Sequence, residues 1–308
     1  MNNIITPTQS HTLTSNPIDS LTKALTNDLT DEKTVLLAKQ HLAKEGWVLL
    51  RGFDSNLNKF SELLQQFCQQ LTFDPAREFA DNASQKVNAG KESVGLHIEN
   101  GNTPFPPQYV GFYSAKSAKS GSQTTICDGR ELFNNMPAEL QQKWRQGITV
   151  SRQLPAHLWR KYVAAQHPKV NSVSEVEEKH LADFIAVNPN QRGSINSDGS
   201  LDYQLDIQPC LVNKREDVPN KESNEMAFAN AILGPSFNYQ KPIYTFADGE
   251  QVSDLLIEQT TDLAEKYTHE VSWQDGDVVL IDNKRVLHGR RAINGELTDR
   301  QLYIAMGS

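Results

Sequence analysis

Two stretches that lie far apart in the chain carry side chains able to bind one metal ion together. His97 and Glu99 are separated by a single residue, and His288 lies far downstream. In an extended segment, residues i and i+2 project from the same face, so His97 and Glu99 can reach one ion while Ile98 points to the opposite side. Two imidazoles and one carboxylate bind a divalent iron and leave positions open, as oxygen activation requires. The sequence therefore indicates an oxygen-activating iron site.

The competing interpretation is that these residues are ordinary polar side chains. An H-x-E triplet is common by chance, and a histidine near a strand end usually has a structural role. His288, however, follows the apolar runs 278–281 and 286–287, which are typical of strands. A strand brought alongside the His97 segment would supply the third ligand, and the other motifs of the chain decide between the two interpretations.

The segments around these residues have the patterns of short strands and flanking helices. Helical spacing predicts helices over 30–46, about 56–71, from 129 with a second half that starts at Pro137, and 253–267. Short apolar runs between turn residues predict strands at 46–50, 109–113, 124–127, 271–273, 277–282, 286–293 and 300–305. The strands from 271 onward are expected to follow one another as a hairpin-like sequence. Helices at the front, strands in the middle and at the end, and no internal repeat favour a mainly β fold with flanking helices and a double-stranded β-helix (jelly-roll) core.

The domain organisation follows from local composition. Residues 1–28 are rich in Ser, Thr and Asn and are expected to form a loosely ordered arm. Residues 29–308 are expected to form a single jelly-roll domain. Within it, 155–240 has polar clusters between brief apolar runs. We expect this segment to be a lid or substrate-binding insertion, with disorder as the alternative.

Composition excludes several classes of function. A net charge of -8 argues against a general nucleic-acid binder, which needs a basic face. No apolar run approaches the ~18 residues that span a bilayer. The three cysteines are scattered without a C-x-x-C pair, and no secretory signal is evident, so a reducing cytoplasm is expected. The expected partner is a small-molecule substrate, and the oligomeric state stays open.

Four motifs, in order and spacing, resemble those of the iron- and 2-oxoglutarate-dependent dioxygenases of the taurine dioxygenase family, particularly its clavaminate synthase-like branch. They are the N-terminal strand and turn at 46–53, the iron-binding motif at 97–100 in its variant with Glu in place of Asp, the glycine-led cosubstrate motif at 121–124, and the distal metal strand at 276–283 followed by 288–290. The similarity extends from about residue 30 to the C-terminus and is loose over 155–240.

This resemblance implies roles for individual residues. His97, Glu99 and His288 would be the iron ligands. Arg300, twelve residues beyond His288, would pair with the distal carboxylate of 2-oxoglutarate, because a guanidinium binds two carboxylate oxygens and keeps its charge. Thr124 would donate its hydroxyl to the same carboxylate. Taken singly, Arg300 could instead form a surface ion pair beside Asp299, and Thr124 could be an ordinary strand residue.

Two further residues are expected to contact substrate. Asn100 follows the iron motif, and Arg290 lies two residues beyond His288. A structural pairing of Arg290 with Asp282 is the alternative. Family members often carry a second arginine four residues after the first, but this chain has Ile304 there. Anchoring of an anionic substrate in the manner of taurine dioxygenase is therefore not expected.

The implied reaction consumes O2 and 2-oxoglutarate at Fe(II), releases succinate and CO2, and oxidises a C–H bond of a small amino acid or amino-acid-derived metabolite. Hydroxylation is the default outcome. Glu99 argues against halogenation, because related halogenases have a small residue in place of this carboxylate. Desaturation or oxidative cyclisation in a biosynthetic pathway is one alternative, and a cupin-like metal-binding module without redox chemistry is the other.

Overall fold

The structure is a computed structural model that describes residues 4–5, 27–213, 225–235 and 240–308. The α-helices in these residues are α1 (Glu32–Glu45), α2 (Leu57–Phe67), α3 (Gly129–Asn134), α4 (Ala138–Trp144), α5 (Ala156–Gln166), α6 (Glu178–Ala186) and α7 (Asp254–Glu265). The strands are β1 (Ile4–Ile5), β2 (Trp47–Leu50), β3 (Leu71–Thr72), β4 (Gln85–Lys86), β5 (Val94–His97), β6 (Tyr109–Lys116), β7 (Thr124–Asp128), β8 (Ile148–Leu154), β9 (Gln191–Ile195), β10 (Leu201–Ile207), β11 (Cys210–Asn213), β12 (Glu225–Phe228), β13 (Ile243–Phe246), β14 (Thr268–Val271), β15 (Val278–Asp282), β16 (Val286–Arg290) and β17 (Gln301–Gly307).

Two sheets facing each other form the centre of the fold. The larger sheet has the order β1-β2-β15-β6-β17-β3, with β4 also paired to β17, and the smaller has the order β14-β7-β16-β5. Their facing sides bury one apolar cluster, to which both sheets contribute: Leu49, Val110, Phe112, Val279, Ile281, Leu302, Ile304 and Met306 from the larger, and Ile126, Val271 and Val286 from the smaller. This arrangement is the predicted mainly β jelly roll with flanking helices.

Side-chain alternation explains why the sequence of the central strand β15 is apolar throughout. Val279 and Ile281 point between the sheets, whereas Val278 and Leu280 point outward to a second cluster beneath α1 and α2. Both faces of the strand are therefore buried, and its sequence is a continuous apolar run. Each fully buried side chain of this kind contributes roughly 1.5–3 kcal/mol relative to exposure.

The start of α1 and its end are both defined by local chemistry. Asp31 caps the helix by accepting a hydrogen bond from the Lys33 backbone, and Gly46 ends it with φ 81°. The Arg285 guanidinium donates to the carbonyls of Ala43 and Lys44 at this end. Because Arg285 lies between β15 and β16, α1 is attached to the connection that crosses from one sheet to the other.

The expected insertion 155–240 is folded wherever the structure describes it. Helices α5 and α6 pack on one side of a four-stranded sheet of order β13-β8-β10-β9 through a separate apolar cluster that includes Trp159, Leu181 and Tyr203. Disorder is therefore the wrong alternative for 155–213 and 225–235, while 214–224 and 236–239 lie outside the described residues. Among those described, every helix is too short or too polar to cross a bilayer.

Three expectations need comment or correction. The arm 1–28 contains β1, which pairs in parallel with Leu49 and Leu50; residues 1–3 and 6–26 lie outside the described part. Leu71 is not on the face of α2, because that helix ends at Phe67 and Leu71 begins the edge strand β3. Finally, 277–282 and 286–293 do not form a hairpin, since β15 and β16 belong to opposite sheets. A jelly roll requires its successive strands to cross between sheets in this way.

Candidate metal centre

The predicted metal-binding residues lie on the inner side of the smaller sheet. Strands β5 and β16 are antiparallel neighbours, and His97 pairs directly with His288. On the outer side, Leu96, Ile98 and Leu287 pack into an apolar cluster beneath α3 and α4. The period of two thus turns the polar residues inward and the apolar ones outward, as the sequence predicted for Ile98.

The three side chains converge. Nε2 of His288 lies 3.5 Å from Oε1 of Glu99, and Nε2 of His97 lies 3.9 Å from the same oxygen. The imidazole centroids are 4.6 Å apart, and one donor atom from each residue lies within 4.8 Å of the other two. Adjacent ligands of an octahedral ion with bonds of about 2.1 Å are about 3 Å apart, so small side-chain movements suffice to bind one ion.

The protonation states also fit a metal. Nδ1 of His97 lies 2.8 Å from the Gly95 carbonyl oxygen, which accepts a hydrogen bond from the ring N–H at Nδ1 and so leaves the Nε2 lone pair free. Burial, followed by the proximity of His288, lowers the pKa of His97 to about 4, so the ring is neutral near pH 7. Two imidazole nitrogens and one carboxylate oxygen form a donor set that a divalent iron accepts.

Asn283 positions the backbone of Glu99. Its Oδ1 accepts from the Glu99 N–H at 2.8 Å, and its Nδ2 donates to the carbonyls of Glu99 and Pro107 at 3.1 and 3.0 Å. Asn283 is fully buried. Asn283 belongs to the motif at 276–283, but nothing in the sequence indicates that its side chain reaches the metal-binding segment.

Arg77 was missed by sequence reasoning altogether. Its Nη2 lies 2.9 and 3.0 Å from the two oxygens of Glu99, and its Nε lies 3.3 Å from Asp74. Burial alone would raise the pKa of Glu99, but the Arg77 charge and the two imidazoles together hold it well below its usual range. Arg77 occurs in a polar, aperiodic segment that predicted only a loop, so no local signal marked it.

A second group of predicted residues lies on the same inner face, two positions along the strand. Thr124 on β7 pairs directly with Arg290 on β16. The Thr124 hydroxyl accepts a hydrogen bond from Nε1 of Trp273 at 2.9 Å, which leaves its own proton free to be donated elsewhere. Thr124 is therefore a buried side chain with a fixed orientation.

Two arginines at this end have no acidic partner among the described residues. Arg290 donates through Nη2 to the carbonyls of Ala89, Gly90 and Glu92, but its Nε and Nη1 are buried without a partner in that part of the chain. Burial, together with the charge of Arg290, lowers the pKa of Arg300 to about 10. Two close cations without a carboxylate form a site suited to an anion.

Both alternative pairings for these arginines are wrong. Asp282 accepts from Nε2 of Gln108 at 2.8 Å and does not contact Arg290. Asp299 has Lys116 as its neighbour, at 4.0 Å, and makes no ion pair with Arg300. The inter-sheet core takes up Ile304, which is fully buried, so the second arginine of the family pattern has no equivalent at that position.

Asn100 directly follows Glu99 and adopts a left-handed conformation with φ 56°. Asparagine tolerates this conformation better than most residues do. Its carbonyl accepts hydrogen bonds from the backbone and hydroxyl of Thr103 at 2.9 and 2.8 Å. The residue therefore turns the chain away from β5 immediately after the carboxylate.

A sequence profile described as taurine catabolism dioxygenase TauD, TfdA family matches residues 14–306. The chain belongs to the TauD/TfdA family. It is an iron(II)- and 2-oxoglutarate-dependent dioxygenase that acts on a small molecule. The cupin-like alternative without redox chemistry is therefore wrong.

Two relatives in this family match most of the chain. The dapdiamide synthesis protein DdaC of Enterobacter agglomerans is 24% identical over 269 residues, which cover 83% of this chain and 80% of DdaC. A clavaminate synthase-like protein of Arabidopsis thaliana is 25% identical over 289 residues, covering 89% and 86%. The crystal structure of a taurine dioxygenase from Burkholderia xenovorans superposes with a TM-score of 0.58 at 15% identity, covering 93% of this chain and 82% of that one. This last likeness shows the shared fold.

The hydrogen bonds of Asn283 lead to a prediction for this TauD/TfdA protein. Asn283→Ala frees the Glu99 backbone, and we expect the affinity for Fe(II) or Co(II) to fall by about 10- to 100-fold, as is usual when residues supporting a metal ligand are lost. Anaerobic metal titration measures this. Gln191→Ala is the control, because that buried side chain binds the Phe184 carbonyl and the Tyr203 hydroxyl within the insertion instead. Equal metal affinities in both folded variants would contradict the role of Asn283.

Proposed function

We propose that this protein oxidises an unactivated C–H bond, by hydroxylation, in a small amino acid or an amino-acid-derived metabolite. One observation carries the proposal: the cluster of His97, Glu99 and His288 lies on the inner side of the smaller sheet together with Arg290, and Arg300, which precedes β17 of the larger sheet, is close to Arg290; neither arginine has an acidic partner in the described residues. The first group suits a metal ion, and the second suits a dicarboxylate that reaches toward it.

In this proposal His97, Glu99 and His288 bind Fe(II), which supplies oxygen activation coupled to the decarboxylation of 2-oxoglutarate to succinate and CO2. Arg300 binds the distal carboxylate of 2-oxoglutarate, and Thr124 donates its hydroxyl to the same group. The bond from Trp273 to Thr124 supports this assignment, because it orients the hydroxyl proton away from the indole. A buried guanidinium and hydroxyl give the cosubstrate one orientation.

Arg290 was expected to contact substrate, and its position supports a different assignment. It lies opposite Thr124 and close enough to Arg300 to lower the pKa of that residue. We therefore assign Arg290 to the same carboxylate as Arg300. Asn100 stays a proposed substrate contact, because it lies between Glu99 and Asn102, whose side chain lines a cavity shared with the insertion.

The insertion 155–240 is proposed to form the substrate side of the site. Nδ2 of Asn188 donates to the Pro104 carbonyl at 3.3 Å, so the insertion contacts the segment that follows Glu99. A cavity of about 60 Å³ lies between that segment and the insertion, lined by Asn102 and Pro104 on one side and by Trp159, Tyr162 and Tyr203 on the other.

The name of DdaC, a dapdiamide synthesis protein, supports a role in the biosynthesis of an amino-acid-derived compound. Desaturation and oxidative cyclisation are the other outcomes compatible with this site. Each begins with removal of a substrate hydrogen, and the substrate pose decides which product follows.

The metal assignment predicts a spectroscopic signal. Anaerobic protein with Fe(II) and 2-oxoglutarate should develop a weak visible charge-transfer band, and His97→Ala should abolish it because one of three ligands is lost. The control is His157→Ala, which changes an exposed histidine on α5. A band of wild-type intensity in His97→Ala would contradict the assigned ligands.

A second prediction concerns Arg300→Ala. We expect the affinity for 2-oxoglutarate to fall at least a hundredfold, since removing one partner of a buried charge pair costs about 3–5 kcal/mol. Titration of the charge-transfer band gives the dissociation constant. Arg291→Ala is the matched control, because this arginine pairs with Glu265 and Glu270 and stays partly exposed. An unchanged affinity in Arg300→Ala would place the carboxylate site elsewhere.

The substrate class is tested by a screen. Free amino acids and their simple amide derivatives are incubated with the iron-loaded enzyme and 2-oxoglutarate, and succinate is measured. We expect a small, related group of compounds to raise succinate above the substrate-free rate, with a product that has gained one oxygen atom. A product that has lost two hydrogens would indicate desaturation or cyclisation. If the charge-transfer band forms but no such compound stimulates turnover, the amino-acid class is wrong.

A further inference from the structure

The carboxylate of Glu99 has two oxygens in different surroundings. Oε1 is the oxygen that Nε2 of His288 approaches to 3.5 Å and Nε2 of His97 to 3.9 Å. Arg77 lies 2.9 Å from Oε1 and 3.0 Å from Oε2. A metal ion between the imidazoles would therefore meet Oε1, while Oε2 keeps its contact with Arg77.

Arg77 is itself held in place by a hydrogen-bonded loop. Its Nε lies 3.3 Å from Asp74, whose backbone N–H donates to Gln85 at 2.9 Å and whose carbonyl accepts from the same amide at 2.9 Å. Gln85 is 1% exposed and belongs to β4, which pairs with β17 of the larger sheet. The guanidinium is thus anchored to the larger sheet while it contacts Glu99, which follows β5 of the smaller sheet.

A glutamate needs such an anchor more than an aspartate does. Its side chain has one more rotatable bond, and a free carboxylate can bind a metal ion through both oxygens. Binding through both would occupy one of the positions that 2-oxoglutarate and O2 require. A guanidinium next to the second oxygen opposes this, because its N–H uses one lone pair of Oε2 and its positive charge repels a metal ion from that side.

We propose that Arg77 is a positioning residue that restricts Glu99 to binding iron through Oε1 alone and so keeps the third open position available. This inference rests on the proposed role of Glu99 as an iron ligand. It has a specific consequence, because Arg77 is also a cation close to the metal. Arg77 repels the metal ion while favouring the coordination geometry, so metal binding and cosubstrate binding respond to it in opposite directions.

The test compares Arg77→Met with the wild type in two anaerobic titrations, one of Fe(II) or Co(II) alone and one of 2-oxoglutarate into the metal-loaded protein. We expect the metal affinity of Arg77→Met to equal or exceed that of the wild type, and the 2-oxoglutarate affinity to fall at least tenfold. The control is Lys86→Met, which removes a cation that pairs with Glu78, outside the site; both of its affinities should be those of the wild type.

The outcomes separate the possible errors. A wild-type protein without the charge-transfer band would contradict the proposed function itself. If the wild type shows the band and Arg77→Met binds 2-oxoglutarate equally well, only the positioning role is wrong. A parallel loss of both affinities would mean that Arg77 merely stabilises the fold, and would also overturn the proposal.

A second variant covers the case in which Arg77→Met does not fold. Arg77→Lys keeps a cation beside Asp74 and Glu99, but an ammonium cannot span both carboxylates as the guanidinium does. We expect its 2-oxoglutarate affinity to fall at least threefold with the metal affinity unchanged. Wild-type affinity for 2-oxoglutarate in this variant would show that the fork of the guanidinium is not needed, and would overturn the proposal.

Discussion

The pairing of His97 with His288 across β5 and β16 is the contact on which the site depends. In a strand a shift of one residue moves every side chain to the other face, and here it would replace His288 by Leu287 inside the sheet pair. The register is protected by close packing of the backbone. A Cβ atom at Gly289 would lie 2.5 Å from the Val94 carbonyl and 2.7 Å from the Thr125 hydroxyl, so only glycine fits between the neighbouring strands.

Two ion pairs lie near the points where the chain crosses between the larger sheet and the smaller one. Asp128 at the end of β7 pairs with Arg285, which also binds the last carbonyls of α1. Arg51, just after β2, makes two hydrogen bonds to Asp277, just before β15. Each pair involves residues at strand ends, so these ends are fixed where the chain passes from one sheet to the other. Asn283 lies in the same connection between β15 and β16 as Arg285, and it binds the backbone of Glu99.

The region between the two sheets carries charge in an unusual arrangement for a protein interior. Glu99 has a cationic neighbour in Arg77, whereas Arg290 and Arg300 have each other and no carboxylate within the described residues. Burying charge without a partner is unfavourable, so the fold itself gives no reason for this end of the region. Under the proposed function, the distal carboxylate of 2-oxoglutarate would supply the missing negative charge at these arginines, and its binding would offset the cost of burying them.

The amino-acid sequence by itself determined the donor types, the i, i+2 spacing that turns His97 and Glu99 to one face, the limits of most strands and helices, and, through the resemblance, the family. Local period and capping carry that information, as the Asp31 and Gly46 ends of α1 illustrate. The roles proposed for Arg300, Thr124 and Asn100 stay predictions. Only the tertiary structure decided that β15 and β16 lie in opposite sheets, that Arg290 faces Thr124, and that Arg77 and Asn283 reach Glu99. The physical reason is that these contacts join residues distant in sequence, and no periodicity records which side chains two sheets bring together when they close over one cavity.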